Sequence, residues 1–137
     1  MSHSITYYRR TPGGLVVTDR IGEVFENWQG EAERWMFVSP HDDDIVIGAG
    51  VTFLAAMAEG IEVHAVVTTD GRMGYCRLPQ RRSIAQVRRS EAIKSFETLG
   101  LPLERLHFLG FPDCNLNPYR GRHFATIGDP RICTVAA

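Results

Sequence analysis

From residue 34 onward the chain alternates short apolar runs with longer segments of helical period, and this alternation restricts the fold more than any other feature. "WMFVSP" at 35–40, "IEVHAVVTT" at 61–69 and "RLHFLGF" at 105–111 are rich in β-branched and aromatic residues, which suit a pleated, buried surface. Between them, residues 44–59 and 81–99 have the length and spacing of helices. Gly60 and Gly100 follow those two segments directly, where a left-handed C-terminal cap prefers glycine. The order is β-α-β-α-β. Strands joined by crossover helices run parallel, so the expected class is α/β, an open, mostly parallel sheet with flanking helices.

Ahead of this unit, residues 5–8 and 15–18 are β-rich runs around Thr-Pro-Gly-Gly, which reads as an N-terminal β-hairpin. Ile21, Val24, Phe25 and Trp28 recur at helical spacing and predict a short amphipathic helix broken near Gly30. Residues 1–33 are thus expected to pack as a hairpin and short helix on an α/β domain occupying 34–137. In the glycine- and proline-rich tail only "ICTVA" reads as a short strand.

With 137 residues, 44% of them hydrophobic, the chain has enough apolar content for one core and little room for a second. Fifteen basic residues against sixteen acidic ones leave a net charge of -1, so no global field points to nucleic acid or a membrane surface. No apolar run is long enough to span a bilayer, and the first ten residues lack the apolar segment of a signal peptide. The odd set Cys76, Cys114 and Cys133 contains no CxxC pair, which argues against a disulfide framework and a cysteine zinc site. The expectation is a soluble, cytoplasmic protein. Homo-oligomers are compatible with it.

In open α/β sheets, ligands bind beyond the carboxyl ends of the strands. The three candidate ends are "SPHDDD", "TTDGRMGY" and "GFPDCNLN", and each carries aspartate. Residues far apart in sequence are therefore expected to meet in one cleft. His41 and Asp44, a nitrogen and an oxygen donor three residues apart at a strand-to-helix turn, suit zinc and leave Asp43 free as a base. Helix capping by Asp43 or Asp44 accounts for only one of the three aspartates. Asp42 is expected to face solvent or cap, and Gly48 and Gly50 to let the following helix pack closely under the sheet.

The glycine-bracketed "TTDGRMGY" reads equally as a tight βα turn or as a ligand contact. Arg77, Arg81, Arg82, Arg88 and Arg89 read as a solvated basic surface, and the pairs seven apart, Arg81 with Arg88 and Arg82 with Arg89, are expected on neighbouring faces of one helix. Asp113 follows a proline as a turn former would, and Cys114 is expected to be small and buried. His64 and His107 fall inside strands, where packing or hydrogen bonding is their ordinary role.

"PHDDD", "VVTTDGRMG", "RRSEAIKSFETLG" and "LGFPDCNL", in that order over about residues 35–116, resemble the LmbE-like or PIG-L family of zinc-dependent N-acetylglucosaminyl deacetylases. The resemblance implies a Rossmann-like fold, a Zn2+ cofactor, and hydrolysis of the N-acetyl amide of an amino-sugar conjugate. It implies His41 and Asp44 as zinc ligands and Asp43 as general base. Arg88, paired with Glu91 in an Arg-x-x-Glu pattern, and Asp113 would contact substrate, while Asp70 and Gly71 would form the cleft wall.

Asp42 stands where the family's Ala-His-Pro-Asp-Asp-Glu signature has proline, and Ile45 where it has glutamate. The family completes its zinc site with a histidine from a later His/Asp-rich motif, and nothing after Asn117 matches that motif. His123, the remaining downstream histidine, lies among arginines and reads as a solvated loop residue more readily than as the third ligand. The α/β domain is therefore expected to be incomplete at its C-terminus. Two other readings stand beside the deacetylase: a truncated or non-catalytic family domain with an incomplete metal site, and a nucleotide- or phosphate-binding α/β domain supported by fold and arginines.

Overall fold

The structure, a computed structural model, describes residues 5–75 and 77–114. Strands β1 (Tyr7–Thr11) and β2 (Gly14–Thr18) form the expected antiparallel hairpin, pairing Tyr7 with Thr18 and Thr11 with Gly14. The helix expected across residues 21–28 is absent. Two 3-10 turns, Ile21–Glu23 and Gly30–Ala32, stand in its place. The reason is tertiary packing. The Trp28 ring lies so close to Gly22 that an added Cβ there would sit 2.7 Å from it. On a regular helix, residues six apart lie about 120° apart around the axis and more than a turn and a half along it, and could not touch. Phe25 meanwhile sets its ring edge against Trp35, 5.0 Å between centroids, so the aromatic spacing serves the main sheet instead of a helix face.

That sheet has the order β3–β4–β5 with β3 (Arg34–Ser39), β4 (Glu62–Thr69) and β5 (Leu106–Phe111) all parallel. Helix α1 (Asp44–Ala58) joins the first pair and α2 (Ile84–Thr98) the second. Each crossover steps the same way across the sheet, and right-handed connections then place both helices on one face. The packing agrees: Phe37 of β3 meets Phe53 of α1 at 5.2 Å, and Phe53 meets Phe96 of α2 at 5.8 Å. Phe53, Ala56, Val63, Ala65, Val67 and Phe96 are almost wholly buried in this layer. The opposite face shows Met36 and Val38 to solvent.

Both helices end in the same device. After α1, Ile61 N–H reaches Ala56 O and Gly60 N–H reaches Met57 O; after α2, Leu101 N–H reaches Phe96 O and Gly100 N–H reaches Glu97 O. These paired bonds satisfy carbonyls that the helix leaves open, and they need the left-handed φ of +74° at Gly60 and +84° at Gly100. Ile61 and Leu101, just beyond, are buried and turn the chain back towards the sheet.

Helix α2 starts at Ile84, three residues later than the spacing predicts. A separate 3-10 turn, Leu78–Arg82, precedes it, closed by the Gln80 side chain accepting from Arg77 N–H at 2.8 Å. Arg77, Arg81 and Arg82 are therefore not on one helix face with Arg88 and Arg89. Gly48 and Gly50 also depart from expectation, because a Cβ on either would meet nothing within 4 Å; neither mediates close packing. Among the described residues, no helix is long and apolar enough to cross a membrane. The expected strand "ICTVA" lies outside the described residues.

Candidate functional site

The three strand ends are stitched together by main-chain bonds. Thr69 at the end of β4 donates its N–H (2.9 Å) and Oγ1 (2.7 Å) to Pro40 O. Asp70 N–H donates to Phe111 O at 2.9 Å, which ties β4 to β5. Ser39, buried at the end of β3, donates Oγ–H to His41 O at 2.8 Å and fixes the turn that carries the three aspartates.

On this frame the structure brings His41, Asp44, Asp113 and Asp70 together. Asp44 Oδ2 accepts the His41 backbone N–H at 2.9 Å and lies 3.2 Å from His41 Nδ1. The other ring nitrogen, Nε2, lies 3.0 Å from Asp113 Oδ1. Asp113 is buried, and its N–H donates to Asp70 Oδ1 at 3.3 Å. Asp70 is in turn held by Arg72, whose Nε donates to Oδ2 at 2.8 Å. One hydrogen-bonded chain thus runs Asp44–His41–Asp113–Asp70–Arg72 across all three strand ends. The bond to Asp113 raises the His41 pKa; burial opposes it, and the charges of Asp113 and Asp44 add to the rise.

Asp43 sits at the N-cap of α1 but makes no side-chain capping bond, and its exposed carboxylate stays available. Asp44 is the first helical residue, with its carboxylate turned back to His41. Capping therefore explains neither side chain.

Asp42, expected to face solvent or cap, lines a cavity of about 110 Å³ with Asp70, Gly71, Arg88, Arg89 and Phe108. Partial burial raises its carboxyl pKa, opposed by its own backbone N–H and by the Arg88 charge. Arg88 donates Nη1–H to Glu91 at 2.8 Å and Nη2–H to Gly74 O at 3.0 Å. It lies flat against Gly71, whose φ is +64° and whose added Cβ would come within 3.1 Å of Arg88 Cγ. "TTDGRMGY" is thus a tight turn, closed by Gly74 N–H to Gly71 O at 2.9 Å and clamped by Arg88.

Residues that the sequence reading passed over include Phe108, whose ring carries the Arg89 guanidinium 4.1 Å from its centroid, and Arg72. A signal for Arg72 existed, since an arginine two residues after a strand-end aspartate is within reach of its carboxylate. Cys114 is exposed rather than buried, with φ +59°. The neighbouring Asp113 charge pushes its thiol pKa up, away from nucleophilic use. His64 and His107 are hydrogen-bonded as expected, 3.1 Å apart with stacked rings, on the sheet face away from α1 and α2. His123 lies outside the described residues.

His41 Nδ1 and Asp44 Oδ2 supply the nitrogen and oxygen donors of a zinc centre, and they fit two of the three protein ligands that an open zinc site uses. Among the described residues, no group of three histidine, cysteine, aspartate or glutamate side chains could hold a metal ion.

The fold and its strand-end constellation define an α/β domain with a histidine–carboxylate site beside a small cavity. The chain belongs to the PIG-L family: the family profile described as GlcNAc-PI de-N-acetylase matches residues 36–128. Diacetylchitobiose deacetylase of Thermococcus kodakarensis is 33% identical to it over 90 residues, which is 65% of this chain and 33% of that protein. The structure of N,N'-diacetylchitobiose deacetylase from Pyrococcus horikoshii, complexed with its inhibitor MPG, matches with a TM-score of 0.55 and 33% identity. That match covers 59% of this chain and 30% of the other. The chain therefore spans about a third of the length of these relatives. The expected family and the α/β class are borne out.

Proposed function

We propose that this chain carries the primary site of a zinc-dependent hydrolase that removes the N-acetyl group from an N-acetylglucosamine-containing conjugate. The observation that carries the reading is the His41 Nδ1 and Asp44 Oδ2 pair, 3.2 Å apart at the strand ends, beside an uncapped Asp43 carboxylate. Deacetylase relatives at 33% identity support the reaction class. Bound by His41 and Asp44, zinc would supply Lewis-acid polarisation of the amide carbonyl and bring the pKa of a bound water to about 7. Asp43 takes the proton of the attacking water and returns it to the departing nitrogen. The amide C–N bond breaks, a C–O bond forms, and acetate and a free amine leave. Asp70, Gly71 and Arg88 wall the cavity where the sugar would lie, with Arg88 presenting a planar donor set from α2.

A second reading rests on the donor pair being two and not three among the described residues: a family domain whose own metal site is incomplete. Zinc content separates the two. Chelator-stripped protein reloaded with zinc should hold about one ion per chain, and Asp43→Asn should keep that zinc while losing about 10²- to 10⁴-fold in acetate release. Undiminished activity in Asp43→Asn would remove the proposed base; failure to hold zinc would favour the incomplete domain. The odd cysteine count, without a CxxC pair, supports a reducing, cytoplasmic setting for this activity. Residues 1–33 are assigned to an accessory segment, in keeping with Ile21 packing into the core of the α/β domain.

A further inference from the structure

We propose that Asp42 selects the ligand of the cavity beside the strand ends, and that the part of the substrate entering there carries a free ammonium group. The inference rests on the reading of the chain as an amino-sugar deacetylase. It narrows the substrates to conjugates that hold a free amine besides the N-acetyl group to be removed.

The cavity of about 110 Å³ lies between the ends of β4 and β5 and the first turns of α2, with Val67, Ala85 and Phe108 as apolar walls. Three arginines, Arg72, Arg88 and Arg89, also line it. Each of their guanidinium groups has a partner. Arg72 holds Asp70, Arg88 holds Glu91 and Gly74 O, and Arg89 lies over the Phe108 ring. Asp42 differs from these. Its half-buried carboxylate accepts from its own backbone N–H and feels the charge of Arg88, but among the described residues no side chain donates a hydrogen bond to it. Asp42 Oδ1 lies 3.9 Å from the point that a Cβ on Gly71 would occupy, so the absence of a side chain at Gly71 keeps the carboxylate open to the cavity.

A carboxylate partly withdrawn from water and short of donors favours a ligand that supplies them. A phosphate repels it. A hydroxyl brings one donor and no charge. An ammonium brings three donors and the opposite charge, and the methylenes that carry it suit walls of valine, alanine and phenylalanine. Three arginines on the wall therefore do not make this an anion site, because their charges are already engaged and that of Asp42 lacks a donor.

The test uses N-acetylglucosaminides that differ only in the end of a short aglycone: aminoethyl, hydroxyethyl and phosphonoethyl. Binding to the chelator-treated full chain is measured by calorimetry at low and high salt, for wild type and for Asp42→Asn, which keeps the shape and loses the charge. We expect wild type to bind the aminoethyl ligand about 10-fold tighter than its hydroxyethyl twin. The preference should shrink in high salt and vanish in Asp42→Asn. Equal affinity for the amine and hydroxyl ligands in wild type overturns the proposal. Tighter binding of the phosphonate, a preference that survives in Asp42→Asn, or no measurable binding of any of these ligands overturns it as well. If Asp42→Asn fails to fold, the wild-type preference and its salt dependence decide alone. An amine preference in a chain that holds no zinc and releases no acetate would sink the hydrolase reading and leave the subsite standing. Acetate release by the zinc-loaded chain without any amine preference would sink the subsite alone.

Discussion

Two glycine-to-alanine substitutions should move stability in opposite directions, and the structure sets the size of each. Gly71 has φ +64°, a left-handed conformation that costs an L-residue roughly 1–2 kcal/mol. Its new Cβ would lie 3.1 Å from Arg88 Cγ and 3.3 Å from Arg88 Cβ. Those are the carbons nearest the α2 backbone, so relief requires turning the whole Arg88 side chain. That loosens its bonds to Gly74 O and Glu91, about another 1 kcal/mol. Gly71→Ala should therefore destabilise by about 2–3 kcal/mol, a large share of the roughly 5–15 kcal/mol that holds a domain together. Gly48 lies inside α1 with open space where its Cβ would go. Gly48→Ala should gain up to about 1 kcal/mol from helix propensity alone.

Urea unfolding of both variants and wild type, compared at equal m-values, reads these differences directly. Gly71→Ala should also lower activity through the displaced Arg88, whereas Gly48→Ala should not. A Gly71→Ala loss below about 0.5 kcal/mol would refute the clamp between Arg88 and the turn. A shared direction in the two variants would refute the use of local backbone and space to assign cost.

Phe53→Ala, at the centre of the Phe37–Phe53–Phe96 contacts, should cost about 3–5 kcal/mol in the same assay; a loss under about 1.5 kcal/mol would mean that the layer collapses around the missing ring. The folded state raises the His41 pKa, so in chelator-treated protein its stabilising contribution is complete below the ordinary value of 6.5 and is lost as pH rises through the folded value. A Tm series upward from pH 6 should show that decline in wild type and a flatter one in Asp113→Asn; parallel slopes would exclude Asp113 as the main cause. The raised Asp42 carboxyl has the same sign: burial disfavours its charged form, and the penalty appears as pH rises through the folded pKa. Asp42→Asn should raise Tm modestly at neutral pH, with the gain shrinking in acid; a drop in Tm at neutral pH would show that the charge is welcome in the cavity.

The α/β unit was legible because each of its signals is local. β-branched runs, helical spacing and the two glycine stops act within a few residues, and the capping bonds at Gly60 and Gly100 use the residues that the pattern marks. Most of the readings that failed depended on distant partners. Ile21, Val24, Phe25 and Trp28 have helical spacing, but Trp28 folds onto Gly22, a contact that no helix permits, and Phe25 packs against Trp35 of the sheet. Gly48 and Gly50 suggest close packing, yet space around a helical glycine is decided by what the rest of the fold puts there. Cys114 reads as a small core residue and lands exposed because the chain turns through a positive φ beside Asp113.

The site divides along the same line. Convergence of three aspartate-bearing strand ends follows from the topology of a parallel sheet, and His41, Asp44, Asp70 and Asp113 do meet there. Which of them touches which depends on register. Val67 pairs with Phe108, but Thr69 pairs with Phe111, so β5 spends three residues where β4 spends two. Gly110, at φ +69°, takes up the extra residue. Because side chains alternate along a strand, a one-residue difference reverses the face that each later residue presents. The bulge aligns Phe111 O with the Asp70 N–H and thereby sets the position of Asp113, two residues on, within reach of His41 Nε2. Without it, the same "GFPDCN" would carry its aspartate out of register with the imidazole. A single glycine inside an apolar strand was the only trace of this in the sequence, and a glycine there marks a bulge without saying which contact the bulge serves.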